Sequence, residues 1–248
     1  MKPDFEVVDY DIGKGDYRNV SDYDQKRYVG AANEYKKKVT GNAYRRLIGP
    51  LKGKRILDVG CGTGRGVADF MDIAQLTIGA DASQDMLLSA VQKAGDRSNV
   101  GFVRAYAQSL PFPTGYFDVV TSLNFLHLFS LQTQTEMIAE MKRVVRPGGI
   151  VVLEFDNAVH GLGLGLIKRW TGREHGSLPW EIRRVIGANC RVTDVYGAVF
   201  PIVWRLLHKW PSASLPLEEL AYHTPVNWVA HRIFFRLVTL QPWQRSSD

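Results

Sequence analysis

The stretch that most constrains this chain is Ile56-Leu-Asp-Val-Gly-Cys-Gly-Thr-Gly64, a short apolar run that ends in an acid and passes at once into a glycine-dense turn. A buried parallel strand delivers its backbone N–H groups in this way to a nucleoside-type ligand at the carboxyl end of a sheet. Gly60, Gly62 and Gly64 give the spacing G-x-G-x-G. The dinucleotide fingerprint G-x-G-x-x-G fails from either starting glycine, because its last position falls on Arg65 or Val67. A P-loop fails as well, since no G-K-[ST] follows. The segment points to a nucleoside ligand without the pyrophosphate that those loops cradle.

Strand and helix patterns alternate after this turn. Arg55–Val59 reads as a strand, 64–73 as a helix, Leu76–Ala80 as a strand and 83–94 as a helix capped by Ser83. Strands follow at 100–105 and 116–123, then a helix over 132–145 that Arg146-Pro147-Gly148-Gly149 ends, and a strand over 150–155. The pattern predicts an α/β fold with a doubly wound, mostly parallel sheet. Upstream, 22–48 reads as helical, with Gly41 a point where it divides in two. Downstream, 178–186 reads as a helix and 191–199 and 232–240 as strands.

Asp81 ends the second strand, 23 residues after Asp58. A carboxylate there can accept both ribose hydroxyls. Asp58 can accept from an ammonium group, directly or through water. Gly60 and Gly62 let the main chain approach a ligand closely, because no Cβ intervenes. His127 follows the fourth strand, and its ordinary pKa suits a general base at neutral pH; shaping the substrate is the alternative role. Asn124 lies near the carboxyl end of that strand, where doubly wound folds bind ligands.

Taken together, Ile56–Gly64, Asp81-Ala82-Ser83-Gln84-Asp85-Met86-Leu87 and Ala105-Tyr-Ala-Gln-Ser-Leu-Pro-Phe112 resemble the motifs of class I S-adenosylmethionine (SAM)-dependent methyltransferases. The likeness runs through roughly 50–157 and is nearest in feel to the small-molecule enzymes related to ubiquinone/menaquinone biosynthesis. It implies a seven-stranded Rossmann-like sheet ending in an antiparallel hairpin of 191–199 and 232–240. It also implies SAM as methyl donor, S-adenosylhomocysteine as product and no metal. The cofactor residues it implies are Asp58, Gly60, Cys61, Gly62, Gly64, Asp81, Ala82, Met86 packing on adenine, Ala107, Gln108 and Asn124, with Tyr35 reaching in from an amino-terminal lid. The family usually has Asp where Tyr106 stands, and Gln108 is the residue that can take over the polar contact.

On this reading residues 1–50 form an arm and helical lid. Residues 51–248 form the methyltransferase domain, with insertions at about 158–178 and 200–227. Trp170, Trp180, Phe200, Trp204, Trp210, Tyr222 and Trp228 make the carboxyl half aromatic, as a cap over a flat apolar acceptor requires. The expected reaction is O-, N- or C-methylation of a small aromatic or apolar acceptor, in secondary metabolism or quinone-like biosynthesis. The rival readings are an RNA methyltransferase, favoured by 31 basic against 25 acidic residues, and a SAM-binding module without catalysis. The basic residues form no dense stripe, which speaks against nucleic acid. A membrane contact through 161–170 is disfavoured by its alternating glycines. No apolar leader and no run of about 18 apolar residues stands in the sequence. Cys61 and Cys190 suggest neither a disulfide framework nor a zinc site. The expectation is a cytoplasmic monomer or homodimer.

Overall fold

The computed structural model describes residues 30–159, 176–200 and 230–240. The chain enters through α1 (Ala31–Ile48) and then alternates β1 (Arg55–Val59), α2 (Arg65–Phe70), β2 (Leu76–Asp81), α3 (Gln84–Ala94), β3 (Val100–Arg104) and β4 (Phe117–Ser122). A 3-10 turn at Leu126–Leu128 leads to α4 (Leu131–Val144), β5 (Val145–Asp156), α5 (Pro179–Ile186), β6 (Cys190–Ala198) and β7 (Arg232–Thr239). The strands form one seven-stranded sheet in the order β3-β2-β1-β4-β5-β7-β6. The pairs β1–β2, β2–β3, β1–β4 and β4–β5 are parallel, while β7 runs antiparallel to both β5 and β6. The expected terminal hairpin is therefore present.

The strand order reverses between β1 and β4, the switch point at which open α/β sheets bind ligands. Alternation along the strands sends side chains to two faces. Leu57, Val59, Ile78, Val120, Val151 and Leu153 pack on one side with Met137, Ile138 and Met141 of α4 and with Ile182 and Val185 of α5. Ile56, Val119, Val152 and Phe234 pack on the other with Tyr35, Val39, Ala43 and Leu47 of α1 and with Phe70 of α2. In α4 the apolar residues recur at helical spacing, and the Ser130 hydroxyl caps the helix by accepting from the Thr133 N–H at 3.3 Å.

Two sequence readings are corrected. Gly41 does not divide the helix in the described residues: α1 runs unbroken from Ala31 to Ile48, because its apolar residues on either side of Gly41 share one buried face. Arg146-Pro-Gly-Gly149 does not stand between a helix and a strand. α4 ends at Val144 and β5 begins at Val145, with a register shift against β4 that absorbs the Pro-Gly-Gly step. The shift is held by Asp118, whose carboxylate accepts from the Arg55 N–H at 2.9 Å and from Arg146 Nε at 2.7 Å. These donors outweigh the opposing effect of burial and hold the Asp118 carboxyl below its usual range.

The expected arm before residue 30 and the aromatic residues Trp170, Trp204, Trp210, Tyr222 and Trp228 lie outside the described residues. Among the described residues no helix is long and apolar enough to cross a membrane.

Replacing Asp118 by Ala leaves the Arg55 N–H and Arg146 without their shared acceptor. Urea unfolding monitored by circular dichroism should show a loss of about 1–3 kcal/mol at an unchanged m-value.

Candidate cofactor site

Asp58, 4% exposed, is the next-to-last residue of β1, with Thr121 of β4 and Gly79 of β2 as its neighbours in register. The Thr121 hydroxyl donates to Asp58 Oδ1 at 2.7 Å. Gly66, in the first turn of α2, has no side chain where the other carboxylate oxygen lies; a Cβ there would overlap it. Burial pushes the Asp58 carboxyl up to about 7, the Thr121 hydrogen bond opposes the rise, and the nearby Asp81 charge adds to it.

The turn that follows is built on positive φ. Gly60, Gly62 and Gly64 have φ of 71°, 52° and 76°, a region L-residues with a Cβ enter only at a cost. The three glycines face different surroundings. A Cβ at Gly60 would overlap the Phe125 ring, and one at Gly64 would come within 2.9 Å of Ala90 Cβ. At Gly62 it would meet nothing within 4 Å, so the main chain there borders open space. The N–H groups of Gly60 and Cys61 both donate to the Ala80 carbonyl, at 2.8 and 3.1 Å. Cys61 turns its sulfur inward, where Gly79 leaves room for it, and burial together with Asp81 and Asp58 pushes the thiol well up. It packs here as a small apolar residue and is a poor nucleophile.

Asp81 lies across the turn from Asp58. Its Oδ2 accepts from the Gly62 N–H at 2.8 Å and its Oδ1 from the Ser83 N–H at 2.9 Å. Burial raises this carboxyl too, against the pull of the Ser83, Gly62 and Ala82 N–H groups. Ala82 is half-buried between Asp81 and Ser83, and the Ser83 hydroxyl accepts from the Met86 N–H at 3.4 Å. Met86 is buried on the first turn of α3.

After β3, Ala107 is buried and Gln108 exposed. The Leu110-Pro-Phe112 segment that follows is clamped from α4. Glu140 accepts from the Leu110 N–H, while Arg143 donates to the Leu110 and Phe112 carbonyls at 3.0 and 2.9 Å. Asn124 follows β4 in a left-handed conformation, φ 53°, and its N–H donates to Glu154 Oε2 at 2.8 Å. Phe125 lies against Gly60 and packs edge-on with Phe129 at 4.9 Å. His127 is half-buried in the 3-10 turn.

The structure thus brings Asp58, Gly60, Cys61, Gly62, Gly64, Asp81 and Ala82 around one turn, with Met86 opening the next helix and Asn124 across the switch point. Tyr35 has no exposed surface and packs among Val39, Ile56, Val119 and Val152, so in this structure it fills the core beneath α1. Trp180 is 66% exposed and Phe200 buried. His160, His175, His208 and His223 lie outside the described residues. Sequence reasoning missed Thr121, Gly66, Phe125 and Glu154. Thr121 could have been found as the β4 partner of Asp58, and Glu154 as a lone acid within the apolar run of β5.

A family model described as a methyltransferase domain matches residues 57–153, a span that contains the whole turn, Asp81, the Leu110–Phe112 segment and Glu140. Those residues are a class I methyltransferase domain. The ubiquinone/menaquinone biosynthesis C-methyltransferases UbiE of Shewanella halifaxensis and Stutzerimonas stutzeri are 37% and 40% identical to the chain over 125 and 123 residues. The matches cover 46% and 47% of this chain and 47% of each relative. The chain therefore spans about half the length of the curated relatives it matches. Among solved structures, magnesium protoporphyrin IX methyltransferase from Synechocystis with bound S-adenosylhomocysteine superposes with a TM-score of 0.64 at 18% identity, covering 90% of this chain and 97% of that one. The [4+2]-cyclase SpnF superposes at 0.57 with 23% identity, over 77% and 76% of the two chains. At these identities the superpositions establish the fold of the methyltransferase domain and leave its reaction to the site.

Asp58 generates a pH dependence whose sign is fixed. Its folded pKa, about 7, stands above an unfolded value of about 4, so the folded protein binds the extra proton between the two. The contribution to stability is complete below about pH 4 and disappears as pH rises through 7. Asp58→Asn should flatten the fall in ligand-free stability between pH 5 and 7.5, read from urea midpoints across that range.

Proposed function

We propose that the chain transfers a methyl group from S-adenosylmethionine to a small aromatic or apolar acceptor, in quinone-like biosynthesis or secondary metabolism. The observation that carries this reading is the charge of the site. Two carboxylates, the buried Asp58 and the half-buried Asp81, flank an open glycine turn, and what supports their charged forms is a hydroxyl and backbone N–H groups. Both carboxyls are raised, so a cationic ligand is favoured there and a pyrophosphate is repelled. SAM carries a sulfonium and an ammonium, which fits; a dinucleotide does not.

The residues present would hold it as follows. Asp81, already oriented by Gly62 and Ser83, keeps lone pairs for two ribose hydroxyls. Gly60 and Gly62 let the main chain approach the methionine portion, with Asp58 behind them as the countercharge for its ammonium group. Met86 gives adenine an apolar surface, and Ala107 and Gln108 stand at its edge. Bound there, SAM supplies a methyl group already activated for displacement. The chain then has to align the acceptor and exclude water. Asn124, Phe125 and His127 stand across the turn on the side from which an acceptor would approach. His127 takes a proton where the acceptor atom must lose one. The likeness to the UbiE enzymes, which are named as C-methyltransferases, favours carbon as that atom.

Titration calorimetry with S-adenosylhomocysteine should show one site, and Asp81→Ala should weaken it about tenfold or more through the lost ribose contacts. Equal affinity in that variant, at unchanged stability, would remove Asp81 from the site.

A further inference from the structure

We infer that Glu154 is a positioning residue, whose buried carboxylate, anchored to β7 by Arg232, holds the Asn124 amide and so sets where the chain carrying Phe125 and His127 leaves the sheet. Its importance for methyl transfer rests on the reading proposed above; the tether itself does not.

Glu154 ends the apolar run Ile150-Val-Val-Leu153 of β5 and is 2% exposed. A carboxylate buried so deeply is costly unless both oxygens are satisfied. Oε1 takes the Arg232 guanidinium at 2.9 Å, and Oε2 takes the Asn124 N–H at 2.8 Å. Arg232 also pairs with Asp156 at 2.5 Å, and Arg232 and Asp156 are directly opposed in the β5–β7 ladder. The antiparallel strand thus supplies the counterion, and the other half of the carboxylate reaches the chain just after β4.

What it reaches is an exposed asparagine in the left-handed region, a conformation that needs outside support in a residue with a side chain. The fixed amide determines the next step of the chain. Phe125 comes down on Gly60, Leu126 is buried, and the 3-10 turn presents His127. Released from Glu154, Asn124 can return to ordinary φ, which moves Phe125 off the glycine turn and His127 with it. Glu154→Gln keeps an oxygen for the Asn124 N–H but loses the charge and the acceptor for Arg232; Glu154→Ala loses both oxygens.

Amide hydrogen exchange and calorimetry together test this. In the wild-type protein the Asn124 amide should be protected, although its side chain is exposed; an amide that exchanges at the unprotected rate overturns the tether without any variant. In Glu154→Ala that amide should exchange about tenfold faster or more, and S-adenosylhomocysteine should bind about tenfold more weakly. Glu154→Gln should lower the melting temperature yet keep both values within about threefold of wild type. A role in stability alone would lower the melting temperature of both variants and leave exchange at Asn124 and the affinity unchanged, which overturns the inference. If the wild type binds no S-adenosylhomocysteine while the exchange pattern holds, the cofactor reading falls and the tether stands.

Discussion

The Ala80 carbonyl accepts two N–H groups, from Gly60 and Cys61, and the rest of the site depends on that junction. It sews the glycine turn to the end of β2 one residue before Asp81. The carboxylate is thereby delivered to the Gly62 N–H, and Gly62 in turn is held facing open space. Gly60 makes this turn with a positive φ, and its missing Cβ is also what admits the Phe125 ring from the chain after β4. One backbone conformation therefore joins the ends of three strands.

The carboxyl edge of the sheet then gathers acids where burial disfavours them. Asp58, Asp81 and Glu154 lie at or near the ends of β1, β2 and β5, and burial raises all three. They differ in how they are answered. Glu154 faces Arg232 and is used to hold the backbone of Asn124. Asp58 and Asp81 lean on a hydroxyl and on amides, which orient a carboxylate without neutralising it. A site of this kind loses stability to gain affinity for a cation, the pattern expected where folding and ligand binding compete for the same charges.

Most of this architecture was legible in the sequence because it is local. The strand–helix alternation, the Ser83 cap and the G-x-G-x-G turn each follow from a few consecutive residues. What was hidden depends on register between distant strands. Asp58 meets Thr121 only because β1 pairs with β4, and Glu154 meets Asn124 and Arg232 only because β5 lies between β4 and β7. Gly66 was read as an ordinary helical residue, although its missing side chain makes room for Asp58. Tyr35 shows the opposite limit: its helical spacing was clear, but the same spacing serves a core and a ligand equally well, and here it fills the core.

The central claim is that the turn between Asp58 and Asp81 binds the nucleoside of S-adenosylmethionine. A crystal structure with S-adenosylhomocysteine tests it most directly. The account predicts ribose hydroxyls on the Asp81 carboxylate, adenine against Met86, and the amino-acid end over Gly60 and Gly62. Ordered ligand elsewhere on the sheet, or a ribose with no contact to Asp81, would contradict it.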